Sequence, residues 1–393
     1  MNWTPLLFIA GHALKLLPTG NDYTSEKLWR IHGARTSIYV SAFAFHPDEM
    51  GQAYIAHLCE RANAGLDVRI LVDDLGSRKL IRQRDDLLSR CDFRILAYNP
   101  ISWGVTRLPH ALHEKFLVVD GTTVFVGGSG YATHYFNARR DSTSWHDLDL
   151  RIDGPAACWF HEQFIARWKN AAAETRRTSE GWTSDRINME HGPWDFTGCR
   201  GTPMGLARIS PVLTEPIFSD ERHLLETYLK LITESRASIR IWSPYPVMTP
   251  QIENALLAAR RRGVRVQVIT NSSISTDEGF QMQAAMSFTL EKLIRGGIEV
   301  GAWRRSGTLH RKGSLYDGKY VVIGSDNYDR RGHDYSTESV IVSDSPALIR
   351  DTEREFALDL GEVDQLNSGN LDAIVGAASA FERWYMALIR RFY

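Results

Sequence analysis

The chain carries one pattern twice, and two copies of a helix and strand pattern must fold into like units that bury their apolar faces together. Ser25 to Phe43 (SEKLWRIHGARTSIYVSAF) reads as an amphipathic helix followed by an alternating strand, and Arg222 to Pro244 (RHLLETYLKLITESRASIRIWSP) repeats that order. Cys59 to Asp74 matches Ala259 to Asn271 as helix end, glycine stop and β-branched strand, with Gly65 and Gly263 in the terminating position. Cys91 to Asn99 and Gly297 to Arg305 each add a short strand ahead of a histidine-bearing segment. This alternation argues for a mostly parallel or mixed sheet covered by helices on both faces. The boundaries expected are a segment 1–19, a first half 20–175, a linker 176–205 containing Pro193 and Pro203, a second half 206–362 and an amphipathic helical tail 363–393.

Chemistry sits in the second repeated element. LHEKFLVVDGTTVFVGG places His113, Lys115 and Asp120 at the spacing HxKxxxxD, and LHRKGSLYDGKYVVIGS places His310, Lys312 and Asp317 at the same offsets. On a strand, residues two apart share a face, so each His-x-Lys pair can reach into one cleft. A lone pair of this kind is ordinarily a solvent-facing feature, whereas duplicated spacing points to joint use. Asp120 and Asp317 each precede a glycine, the signal of a hairpin turn, which competes with a catalytic role for them. A phosphodiester is an anion with a poor leaving group, so its cleavage needs charge neutralisation, a nucleophile and a proton donor. Two histidines and two lysines supply all three.

These motifs resemble the phospholipase D superfamily, whose signature HxKxxxxDxxxxxxG(G/S) occurs twice in one chain. GSDNYDRRGHDYSTE after the second motif is similar to the family's GSxNxDxRSxxxNxE extension, with Gly332 for the usual Ser and Ser336 for the usual Asn. SWHDLDLRIDGPA, WSPYPVMTP and TNSSISTDEG resemble the bacterial cardiolipin synthase branch. The resemblance implies an α/β fold of two similar α-β-α sandwich halves with mixed sheets, related by a pseudo-twofold axis, with one active site at their interface. It implies a phosphatidyltransferase acting on glycerophospholipids through a phosphohistidine, with His113 favoured as nucleophile and His310 as acid. Hydrolysis to phosphatidic acid is the alternative, and a nuclease-type phosphodiesterase a more distant one. The family pattern makes Glu338 a histidine-orienting carboxylate, with Asp147 as the candidate from the first half. It makes Ser325 and Asn327 phosphate-binding, while the first half offers Gly128 and Gly130 at the matching places and Ser129 as a substitute. No metal or other cofactor is implied. The partners expected are a phospholipid, an alcohol or water as acceptor, and a membrane surface touched peripherally.

Composition trims the alternatives. Lys and Arg number 46 against 47 Asp and Glu, so the chain lacks the charge excess of a dedicated nucleic-acid binder. No run of about 18 apolar residues appears, and the N-terminus lacks a basic region before its broken apolar stretch. The expectation is therefore a cytoplasmic protein, peripheral at the inner membrane, with no signal peptide or transmembrane helix. Cys59, Cys91, Cys158 and Cys199 show neither metal-ligand nor secretory spacing, so reduced thiols are expected. His110, His113, His134 and His146 fall close together, but lining a cleft is the expected role rather than ligating a metal. In the tail, Phe381, Trp384, Tyr385, Leu388, Ile389 and Phe392 recur at helical spacing opposite Arg383, Arg390 and Arg391, which suits an anionic bilayer or the protein's own surface.

Overall fold

The computed structural model describes residues 6–100, 103–104, 107, 109–136, 144–178, 196–219 and 222–376. The aromatic stretch from Phe381 and most of the expected linker lie outside them. In chain order the strands are β1 (Ile9–Leu17), β2 (Ser37–Ala42), β3 (Asp67–Asp73), β4 (Arg94–Tyr98), β5 (Ala111–Leu112), β6 (Phe116–Val119), β7 (Thr123–Gly127), β8 (Asp149–Asp153), β9 (Ala207–Thr214), β10 (Ser238–Trp242), β11 (Arg265–Thr270), β12 (Glu299–Trp303), β13 (Gly313–Tyr316), β14 (Tyr320–Gly324), β15 (Ser336–Ser343) and β16 (Val363–Gln365).

Local chemistry sets where these elements begin and end. Asp48 caps the helix Glu49–Asn63 by accepting from Gly51 N, and Thr249 caps the helix Pro250–Arg261 by accepting from Ile252 N, with Pro250 in the first turn. Gly65 and Gly263, at φ +93° and +89°, end those helices in the backbone region that glycine enters without steric cost. β2 is buried along its whole length, as a central strand covered on both faces must be.

Within each repeat three strands run parallel, β2-β3-β4 and β10-β11-β12, and the rest of the repeat attaches antiparallel as β8-β7-β6 and β15-β14-β13. The sequence does not say that these two arrays join. β8 pairs with β1, β1 with β9 and β9 with β15, all antiparallel, so both repeats form a single mixed sheet. β1 and β9 hold equivalent places ahead of the first helix of each repeat, and their antiparallel pairing is what a local twofold axis between them requires. Residues 1–19 thus include a strand of the central joint, and the segment from 363, expected as a helical tail, starts as an edge strand on β12.

Both repeats also share a core. The helices Pro155–Thr178 and Pro346–Leu360 lie on one face, where Phe160, Phe164 and Trp168 belong to the same buried cluster as Leu348, Ile349 and Phe356. The opposite face carries a separate cluster in each repeat, under Tyr23, Ile31 and Leu58 in the first and under Tyr228, Leu256 and Leu290 in the second. Trp103 packs in the core shared by the two repeats and donates its indole N–H to Thr175.

The cysteines depart from expectation. Cys59 is bonded to Cys91 and Cys158 to Cys199, with Cα separations of 5.0 and 5.5 Å. Their sequence separations of 32 and 41 residues carry no pairing signal; the fold creates the contacts by laying the end of a helix beside a distant segment. Among the described residues no helix is long and apolar enough to cross a membrane.

Candidate active site

β6 and β13 each follow a His-x-Lys pair, and a strand from the opposite repeat fixes the approach to each. β5 runs parallel to the start of β15, and His113 N donates to Thr337 O at 3.0 Å. In the mirrored position, His146 N donates to Thr308 O and His310 N donates to His146 O, at 2.7 and 2.8 Å. Leu112 N and Leu309 N are held from below by Asp73 Oδ2 and Asn271 Oδ1, both at 2.9 Å. Each histidine is therefore seated against the acidic segment of the other repeat.

The carboxylate pairing follows from that exchange. His113 Nδ1 lies 2.7 Å from Glu338 Oε1, and His310 Nδ1 lies 2.6 Å from Asp147 Oδ2. Glu338 in the second repeat thus serves the first histidine, and Asp147 in the first serves the second. With Nδ1–H donated to a carboxylate, each ring presents Nε2 as its basic nitrogen. His113, Lys115, His310, Glu338 and Asn327 line one cavity of about 570 Å3. Lys115 Nζ donates to His113 O at 2.7 Å, and Lys312 Nζ donates to His310 O at 2.8 Å while lying 2.9 Å from both ring nitrogens.

Burial governs the protonation of this cluster. It pushes both imidazoles well below their ordinary value, with Lys115 and Lys312 adding like-charge repulsion at His113 and at His310. It also lowers Lys115 to about 8 and Lys312 to about 7, and raises Glu338. Neutral imidazoles beside dischargeable ammoniums form a site that a phosphate anion would stabilise in its cationic form.

Several candidates lie elsewhere. Asp120 sits at φ +53° in the β6-β7 turn and accepts from the backbone N–H groups of Arg35, Thr36 and Ser37. Asp317 repeats this at φ +53°, accepting from Arg236, Ala237 and Ser238. Although burial opposes it, those three donors hold the Asp317 carboxyl below its ordinary value. Both aspartates tie a hairpin to the start of the neighbouring strand, so the catalytic assignment for them is corrected to a structural one. Ser129 is buried away from the cavity, donating to Asp149 at 2.5 Å and accepting from Lys27 at 2.7 Å, so it is no phosphate donor. Ser325 stands behind the carboxylate, its hydroxyl donating to Glu338 Oε2, whereas Asn327 lines the cavity and leaves its Oδ1 unpartnered among the described residues. His110 is held by Tyr335 O at 2.9 Å, and His146 by Asp359 at 2.8 Å with its ring stacked on Trp303.

Aromatic walls were not singled out by motif. Phe43 faces His113 at 5.2 Å between ring centroids, and Trp145, Tyr135 and Tyr245 surround His310 at 4.5, 5.6 and 6.3 Å. Trp145 precedes His146 and Asp147, so the signal available was its place beside the acid in SWHD.

Comparison with known proteins agrees with this architecture. The family model described as cardiolipin synthase, PLD-like domain, matches residues 28–168 and 228–360. The probable cardiolipin synthase YwiE of Bacillus subtilis is 27% identical over 356 residues, 90% of this chain and 67% of that protein. Cardiolipin synthase 1 of Bacillus anthracis is 26% identical over 87% of this chain and 65% of its own length, so the chain spans about two thirds of such relatives. The phosphatidylserine synthase of Haemophilus influenzae Rd KW20 superposes with a TM-score of 0.75 over 98% of this chain and 97% of that one, at 16% identity, which shows the shared fold. With both repeats matched by one model, the chain belongs to the cardiolipin synthase PLD-like domain family.

Proposed function

We propose that the protein is a phosphatidyltransferase of the phospholipase D superfamily, similar to cardiolipin synthases, which moves a phosphatidyl group from one glycerophospholipid to an alcohol. The observation that carries this reading is the crossed pair of histidines, each oriented by a carboxylate from the other repeat and both opening on one cavity with Lys115.

In the first step His113 Nε2 attacks phosphorus, the bond to the donor's alcohol oxygen breaks, and His310, which takes up a proton on Nε2 as the phosphodiester anion binds, gives that proton to the departing alkoxide. In the second, the acceptor alcohol's oxygen attacks phosphorus, its proton passes to His310, and the phosphorus–nitrogen bond breaks. Lys115 and Lys312 neutralise the non-bridging oxygens, where charge accumulates in both transition states. Asn327, at the cavity wall, contributes a hydrogen bond to the bound headgroup or phosphate. The favoured nucleophile is the more accessible ring: the His113 side chain is 16% exposed against 6% for His310.

Lipid reaches such a cavity from a bilayer surface. Leu75, Ile274 and Phe280 are exposed and adjoin the cavity residues Gly76, Asp277 and Met282 in sequence, one apolar residue from the first repeat and two from the second. They support peripheral docking of the cavity mouth on a membrane. The test is mass spectrometry of lipid products from purified protein on mixed phospholipid vesicles, with and without added glycerol. Lipid-to-lipid or lipid-to-glycerol exchange is expected. Phosphatidic acid as sole product in both arms would replace transfer by hydrolysis, and no lipid turnover would overturn the reading.

A further inference from the structure

Two imidazoles on one wall of the cavity, with a carboxylate beside them, are potential ligand groups that the proposed reaction does not use. His46, Asp48 and His134 place one imidazole nitrogen each and a carboxylate oxygen within 4.8 Å of one another. No side-chain hydrogen bond to a described residue occupies either imidazole, and both rings line the cavity, with centroids 5.7 Å apart.

The backbone fixes this arrangement before any ligand arrives. Phe45 and Tyr131 form a bridge, and His46 N donates to Tyr131 O at 3.0 Å. Asp48 Oδ1 accepts from Gly51 N at 3.1 Å and Oδ2 accepts from Thr133 N at 2.9 Å, so one carboxylate joins the helix start to the turn that carries His134. The approach is tight: a Cβ on Gly51 would stand 1.7 Å from His46 O. His134 O in turn accepts from Trp145 N at 2.9 Å, and the Trp145 ring packs on His310. Counted from the equivalent helix caps Asp48 and Thr249 and from the matching motif glycines Gly127 and Gly324, the second repeat carries Val247, Thr249 and Arg331 at these places, so this feature is not a by-product of the duplication.

Two imidazoles and one carboxylate, with the remaining directions open, match the coordination preference of divalent d-block ions rather than of calcium or magnesium, which favour all-oxygen sets. We propose that His46, Asp48 and His134 form a binding site for a divalent ion of the zinc, cobalt or nickel class at the wall of the catalytic cavity. Its open coordination positions face the cavity and accept water or an oxygen of the bound headgroup. The sequence expectation was of no metal; only folding brings His46 and Asp48 beside His134.

Two other groups do not compete. His32, His57 and Glu60 lie on an outer surface away from the cavity, and Cys158 with Cys199 is a disulfide beside Glu162.

The experiment titrates the full chain with Co2+, followed by visible d–d absorption, and with Zn2+ by calorimetry. One ion per chain is expected. His46→Gln, Asp48→Asn and His134→Gln should each weaken binding by at least about tenfold, the scale on which losing even a supporting interaction around a metal acts. Asp48→Asn retains an N-cap residue, so its thermal melt reports that the fold persists while the ligand charge is lost. The double variant His113→Gln/His310→Gln should bind as the parent does. Binding abolished in that double variant would place the ion on the catalytic pair and overturn the proposal. Unchanged affinity in His46→Gln and Asp48→Asn, or no uptake by the parent chain, would overturn it as well.

Discussion

The residue between the motif histidine and lysine is Glu114 in the first repeat and Arg311 in the second, and both are fully buried. Glu114 accepts from Arg167 on the helix Pro155–Thr178, and from Ser41 at 2.6 Å. Arg311 donates to Asp359 at 2.8 Å and to Glu355 at 3.0 Å on the helix Pro346–Leu360, and to Pro18 O at 2.7 Å. The two repeats thus lock the same strand to the same helix by an ion pair of opposite polarity. A second contrast lies behind the acids. Ser325 supports the longer Glu338, whereas the matching Gly128 leaves room for the shorter Asp147, since a Cβ there would lie 2.2 Å from its Oδ1. Both repeats keep a histidine with its Nδ1 on a carboxylate, at 2.7 and 2.6 Å, while the chemistry that supports each pair differs.

The comparison breaks most sharply at the histidines. His113→Asn and His310→Asn should each reduce turnover by roughly 10³-fold or more, and the double variant should fall little further, because the two act in one sequence of proton and phosphoryl transfers. Single variants that each keep about half of the turnover, with loss only in the double variant, would mean two independent sites.

The buried ion pairs come next. Arg311→Leu leaves Glu355 without its ion-pair partner, while Asp359 keeps His146 and Trp242, and should cost about 3–5 kcal/mol in denaturant unfolding, the range for orphaning a buried charge. Glu114→Leu should cost less, because Arg167 keeps Glu215 at 3.8 Å. Equal losses would remove the asymmetry.

The crossed acids give a finer test. Glu338→Gln should lower kcat by about 10²-fold and disturb the tautomer of His113 in nitrogen NMR while leaving His310 unchanged, and Asp147→Asn should do the reverse. Disturbance within the same repeat would refute the exchange.

The smallest effect is on pH. Lys312 and Lys115 must be cationic to hold phosphate, and burial has lowered them to about 7 and about 8, so kcat/KM should decline as pH rises through that window. The nucleophilic imidazole is pushed below 6.5, so the acid limb should lie beneath that value. A profile flat from neutral pH to above 9 would contradict the assignment of the lysines.

Much of this was legible in the chain. Equal motif offsets give the repeat, the two histidines and the two lysines, because a strand's two-residue period is local. The hairpin role of Asp120 and Asp317 was half legible from the following glycines, as φ near +53° at the aspartates and positive φ at Gly121 and Gly318 is what such a turn needs. The rest depends on contacts between distant segments. Nothing local tells that Glu338 lies beside residue 113 rather than 310, that β1 and β9 weld two sheets into one, or that Cys59 meets Cys91. Ser129 followed the motif's spacing but turned toward Lys27, a residue outside the motif.

The most direct test of the shared site is to trap its intermediate. His310→Asn enzyme is given a phosphatidyl donor with a p-nitrophenol leaving group, which departs without acid help, then quenched under alkaline conditions and digested for peptide mass spectrometry. The account predicts one phosphatidyl-histidine, at His113, persisting because the base that activates the acceptor is gone. An adduct at another residue, or none despite release of p-nitrophenol, would contradict it.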